Sequence, residues 1–77
     1  MSINEIREYI TKIKNDSKMM GKNRIVLISG DIHKNLGLNR RMPSVCRAMY
    51  YCMGDNDVIL HQTPSGFSST IEIEYNL

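Results

Sequence analysis

The chain has 77 residues and a mass of 8.9 kDa, with ten Lys/Arg against eight Asp/Glu for a net charge of +2. That length holds one domain, residues 1–77, because domains typically run ~100–150 residues and two hydrophobic cores would not fit. It argues against a large enzyme with a deep cleft, and 42% hydrophobic with 23% charged residues argues against a disordered chain.

No apolar run approaches the ~18–20 residues needed to span a bilayer, so no membrane partner is expected. Met1-Ser2-Ile3-Asn4-Glu5 brings an acid early and no apolar stretch follows, so a cytoplasmic location is expected. Cys46 and Cys52 on one helix would stand ~9 Å apart along its axis, too far for a disulfide. Neither CxxC nor HxxxH spacing occurs, so no metal and no cofactor is expected.

In chain order, Ser2 and Glu5 form a capping box, with Met1 and Ile6 placed as a hydrophobic staple. Ile3, Ile6, Ile10 and Ile13 then share one stripe of a first helix. Asn15-Asp16-Ser17 and Gly21 are expected to weaken or end it. Ile25 to Ile28 predicts a short buried strand. Ser29 reads as the N-cap of a two-turn helix over roughly 30–36, with Asp31 near its positive end and Gly37 as a left-handed stop. Leu38 to Arg41 is a tight connection, and Pro43 fits the first turn of a helix starting near Met42 and closing at Gly54. Its inner face carries Val45, Ala48, Met49 and Cys52, with Cys52 a surer core residue than Cys46. Its open face carries Pro43, Ser44, Arg47, Tyr50 and Tyr51. Val58 to Gln62 and Ser69 to Tyr75 predict a hairpin around the loop 63–68. Ile71, Ile73 and Tyr75 alternate against Thr70, Glu72, Glu74 and Asn76, one face buried and one wet.

The predicted class is therefore α+β, in the order helix, strand, helix, helix, strand, strand. Two segments carry a resemblance: Ile25-Val26-Leu27-Ile28-Ser29-Gly30-Asp31-Ile32-His33-Lys34-Asn35-Leu36-Gly37-Leu38 and Met42-Pro43-Ser44-Val45-Cys46-Arg47-Ala48-Met49. With the hairpin as wing, the chain resembles the winged-helix (winged helix-turn-helix) superfamily over nearly its whole length. The resemblance implies that the second motif helix enters the DNA major groove.

Charge by segment agrees with that placement. Residues 1–23 carry +2. Residues 24–53 carry +4, from Arg24, Lys34, Arg40, Arg41 and Arg47 against Asp31. Residues 54–77 carry −4, from Asp55, Asp57, Glu72 and Glu74. The expected DNA-contacting residues are Arg40, Arg41, Ser44, Arg47 and Tyr50, with Lys34 on a flank and Ser65 and Ser68 in the wing. Arginine can pair two-pronged with guanine, and flanking cations neutralise phosphates. The wing tip has no Lys or Arg, unlike the strongest binders in the family. Phe67 is expected to fold back on the core, with a protein contact or nucleic-acid stacking as alternatives.

The remaining chemistry-bearing residues read as structural. Glu72 and Glu74 fit a solubilising strand face, ~7 Å apart. Ser29 with His33 lacks an orienting carboxylate, and the six methionines fit a gap-filling core. No catalytic residues are expected. The leading expectation is a small DNA-binding module, a transcriptional regulator or targeting domain with duplex DNA as partner. A homodimer is plausible through the polar face of the first helix or Met19-Met20. A winged helix that binds protein or dimerises, without nucleic acid, is the alternative.

Overall fold

Helix α1 spans Ile3–Met19 in the computed structural model, which describes residues 1–77. The capping box forms as expected. The Glu5 N–H donates to Ser2 Oγ at 3.2 Å, and the Ser2 N–H donates to Glu5 Oε1 at 3.0 Å. The helix runs on through Asn15-Asp16-Ser17, which were expected to weaken it. Their propensity costs are only tenths of a kcal/mol each, and packing of one face on the core overrides them. Ser17 is itself buried. Gly21, at φ +86°, closes the helix in a Schellman motif, with Gly21 N–H on Lys18 O and Lys22 N–H on Ser17 O.

Strand β1 (Arg24–Ile28) leads directly into helix α2 (Ser29–Asn35). The strand was expected to be buried, yet Val26 is exposed, because only one face of the sheet is covered by helices. Ser29 is not an N-cap. It is the first residue of α2, and its fully buried hydroxyl instead donates to Ser68 O at 2.6 Å and accepts from Ile71 N–H at 3.2 Å. Gly37 ends α2 as expected, at φ +63° with Leu38 N–H on His33 O. Helix α3 (Met42–Tyr51) carries Pro43 in its first turn and stops at Tyr51, short of Gly54. Gly54 instead sits in a turn with Asp57, its N–H donating to Asp57 Oδ2 at 2.7 Å.

Strands β2 (Val58–His61) and β3 (Glu72–Asn76) complete an antiparallel sheet of order β1-β3-β2. β3 is central, and Glu74 pairs with both Val26 and Val58. The register of β2 slips between Ile59 and His61. The last strand was expected from Ser69 and starts only at Glu72. Residues before it are committed to bonds with α2 and α3, so they leave the hairpin ladder early. The alternation holds: Ile71, Ile73 and Tyr75 are fully buried.

The three helices cover one face of this sheet, giving an α+β domain. Ile6 and Ile10 of α1, Ile32 of α2, and Val45, Cys46, Ala48 and Met49 of α3 close on Ile71, Ile73 and Tyr75. Each fully buried aliphatic side chain contributes about 1.5–3 kcal/mol. Cys46 is completely buried and Cys52 only half-buried, the reverse of the expected ranking. Tyr75 spans the core, and its hydroxyl donates to Met49 O at 2.7 Å. Burial pushes that hydroxyl far above the usual tyrosine range, so it remains a donor. Lys14 lies over the Tyr75 ring at 4.9 Å and also donates to Cys52 O at 3.1 Å, tying α1 to the end of α3.

Two outcomes follow for stability. The Ser2 backbone N–H, and then its hydroxyl, hold the Glu5 carboxyl below its usual range. Its contribution to α1 is therefore complete at neutral pH and is lost as pH falls through the lowered folded-state value. Helicity measured by circular dichroism in acid should fall in the wild type, and Glu5→Gln should reduce that pH dependence. At Gly30, a Cβ would stand 2.7 Å from the Ser69 carbonyl oxygen. Gly30→Ala should lower stability by about 1–3 kcal/mol despite alanine's better helix propensity. A thermal melt that is unchanged or raised would show that the α2–loop contact yields freely.

Candidate functional site

The connection from α2 to α3 is held by one histidine. The His33 carbonyl accepts Leu38 N–H at 3.1 Å, and its ring Nε2 accepts Arg41 N–H at 3.2 Å. To accept there, the ring must carry no proton on Nε2. Between these bonds Arg40 takes φ +55°, the only residue other than glycine in the left-handed region. Arg41 then stands at the N-cap of α3 with no side-chain cap, and the first turn of α3 contains no acid. The sequence reading assigned His33 no part in this turn, because an imidazole bonding to a backbone eight residues away has no local pattern.

The loop 62–71 is fastened along α3 and does not project freely. Tyr50 Oη donates to Gly66 O at 2.7 Å and accepts from Gln62 Nε2 at 3.4 Å. The buried thiol of Cys46 donates to Ser68 O at 3.4 Å, beside the Ser29 bond to the same carbonyl. Burial raises the Cys46 thiol above its usual range and outweighs the opposing Ser29 contact, so the thiol stays protonated and unreactive. Burial likewise raises the Tyr50 hydroxyl, ahead of the opposing Gln62 bond. Gly66, buried at φ +72°, makes the turn beneath Phe67, with Gly66 N–H on Thr63 O at 3.0 Å.

The eight residues singled out from the sequence divide accordingly. Lys34, Arg40, Arg41 and Arg47 are exposed, and none has a carboxylate partner. The single ion pair of the chain is Arg24 with Glu74, at 3.9 Å on the sheet. Ser44 is half-buried on the open side of α3. Tyr50, Ser65 and Ser68 have hydroxyls engaged inside the loop. Ser65 Oγ accepts Phe67 N–H at 3.3 Å, and Ser68 Oγ accepts Thr63 Oγ1 at 3.0 Å. Tyr50 and Ser68 therefore shape the surface as ties between elements.

Three residues outside that set border α3. Phe67 is not folded into the core. It is 40% exposed, with the Arg47 guanidinium over its ring at 5.3 Å. One turn further along α3, Arg7 of α1 lies over the exposed ring of Tyr51 at 5.4 Å. Arg7 belongs to a segment distant in sequence, and only the packing of α1 on α3 brings it to this surface. An arginine held over an aromatic face keeps its N–H edge free for an anion or a base edge.

Elsewhere the chemistry-bearing groups stay apart. Glu72 and Glu74 are half-buried on the open sheet face, and Cys52 lies against Arg7 O at 3.9 Å. No three of the His, Cys, Asp and Glu residues come together in an arrangement that could hold a metal. No helix is long and apolar enough to cross a membrane.

Arg40 provides a test of whether the turn carries a cation at the expense of stability. A left-handed arginine costs about 1–2 kcal/mol of backbone strain. Arg40→Gly should leave the melting temperature unchanged or higher, while weakening retention on heparin. A clear loss of stability would mean that the side chain is held by the fold rather than offered to solvent. No protein-family model matches the chain, and neither a curated protein nor a solved structure matches it.

Proposed function

We propose that the protein is a winged helix-turn-helix module that binds duplex DNA, with α3 laid in the major groove. The carrying observation is the group of exposed cations Lys34, Arg40, Arg41 and Arg47 on α2, the turn and α3, all without carboxylate partners. An ion pair would have to be broken before such a cation could neutralise a phosphate, and here none stands in the way. The element order and the sheet order β1-β3-β2 support the winged-helix reading. The uncapped, acid-free start of α3 favours a phosphate at that end. Of the four acids of the last third, Glu72 and Glu74 lie on the sheet, and Asp55 and Asp57 lie in the turn that follows α3.

In this reading Arg41 and Arg47 contact base edges and phosphates, Arg40 and Lys34 contact phosphates, and Ser44 faces the groove. Tyr50, Ser65 and Ser68 keep the loop in place beside the helix. The loop brings no cation of its own, so its contacts with DNA would come through backbone N–H groups. The module has no catalytic role, and a transcriptional or targeting function fits its size.

A second reading, as a module that dimerises or binds protein, is favoured by one observation. Val26, Val58 and Leu60 are each close to half exposed and lie on β1 and β2, the two edge strands that flank β3. Titration with duplex DNA separates the two. The double substitution Arg41→Ala with Arg47→Ala should lower affinity and reduce the slope of log K against log salt by about 2. An unchanged slope would overturn the α3 interface. Backbone resonance shifts confined to the sheet, strongest in β1 and β2, on raising the protein concentration would favour the second reading.

A further inference from the structure

The loop 62–71 has no charge to offer a phosphate, yet it is tied down more firmly than a passive connection requires. Gly66 and Ser68, on either side of Phe67, are both bonded to α3, and Ser68 is bonded to α2 as well. Gly66 O takes the Tyr50 hydroxyl of α3, and Ser68 O takes the Ser29 hydroxyl of α2 and the Cys46 thiol of α3. The Phe67 N–H is itself held by Ser65 Oγ. The backbone on both sides of the ring is thus fixed relative to α3. Arg47 lies one turn before Tyr50 on the same open side of α3, and its guanidinium sits over the Phe67 ring. No carboxylate competes for that guanidinium.

An arginine on a solvent-facing helix normally loses rotamer freedom when it docks, and that loss opposes binding. A ring beneath the guanidinium removes part of that cost beforehand and leaves the five N–H donors outward. Bidentate pairing with guanine depends on the plane and direction of the fork, whereas attraction to a phosphate depends mainly on charge. A device that orients Arg47 without adding charge therefore acts on base discrimination more than on overall attraction.

We propose that Phe67 is a positioning residue for Arg47. The loop sets the base specificity of α3 by holding this arginine in a reading orientation, without touching the DNA itself. The proposal rests on the DNA-binding reading above. It names guanine edges in duplex DNA as what Arg47 reads.

The test uses the full chain and a duplex selected by the wild-type protein from a randomised library, with single-base variants at each position. Phe67→Leu, shown folded by its melting curve, should lose ~5-fold or more of discrimination at the guanine read by Arg47. Its salt slope should match the wild type, since no charge is removed. Phe67→Tyr should restore discrimination. In the free protein, the Arg47 Hδ resonances should be shifted upfield by the ring and should return in Phe67→Leu. Retained discrimination in Phe67→Leu, or an equal loss at every position, would overturn the positioning role, as would unshifted Arg47 resonances. A wild-type protein that binds no duplex would overturn the DNA-binding reading instead, and the resonance shifts would still report whether the ring holds the arginine.

Discussion

The hydroxyl of Ser29 is the hinge on which the rest of the structure depends. It is completely buried, donates to Ser68 O and accepts from Ile71 N–H. Without it, the Ile71 N–H would be buried and unpaired, at a cost of about 1–3 kcal/mol. The backbone continues the same junction. Ser29 N–H reaches Ile71 O, and Gly30 N–H reaches Ser69 O, each at 2.9 Å. The start of α2 is thereby fused to the segment that enters β3. Because β3 is the central strand, this one junction sets the helices and the sheet in a fixed relation. Gly30 is required there because the Ser69 carbonyl occupies the space of a Cβ.

The same junction determines what α3 presents. Ser68 O, held by Ser29, also accepts from Cys46 on the underside of α3, and Tyr50 clamps Gly66 one turn further along. The loop becomes an extension of the helix surface. Phe67 and Arg47 meet because both ends of the contact are fixed from below. At the end of α3, Lys14 bonds the Cys52 carbonyl and Arg7 covers Tyr51, so α1 contributes to the border of α3. Packing therefore produces a surface whose arginines come from two elements distant in sequence.

Charge is divided along the same line. Lys34, Arg40, Arg41 and Arg47 are exposed on α2, the turn and α3, with Asp31 as the one acid among them, while Glu72 and Glu74 lie on the outer sheet face, where Arg24 meets one of them. A net charge of +2 thus hides an uneven distribution of charge over the elements, and a polyanion responds to the local field more than to the sum. The outer sheet face keeps Val26, Val58 and Leu60 exposed beside those acids, which leaves the domain a second surface of different chemistry.

Signals that act within a few residues were legible in the sequence. The capping box at Ser2 and Glu5, the glycine stops at Gly21 and Gly37, the isoleucine stripe of α1 and the alternation of Ile71, Ile73 and Tyr75 each reflect one or two turns of backbone. The element order and the exposure of Arg40, Arg41 and Arg47 followed from them. Four departures share one cause. Ser29, Tyr50, Ser68 and His33 carry polar atoms whose partners lie eight to 42 residues away. For Ser29 the distant bonds take the place of the expected cap, and for the other three they fix the side chain in a way that no local pattern announces.

The sequence by itself determined the order of helices and strands, the apolar faces of α1, α3 and β3, and where the charge lies along the chain. Those features depend on periodicity, on caps and on counting, all local. Only the tertiary structure decided that the loop lies down on α3, that Cys46 rather than Cys52 is sealed in the core, and that Arg47 and Arg7 rest on Phe67 and Tyr51. Each of these depends on which buried donor meets which acceptor once the sheet closes. A buried polar group takes whatever partner the packing supplies, because leaving it unpaired costs more than bending a loop.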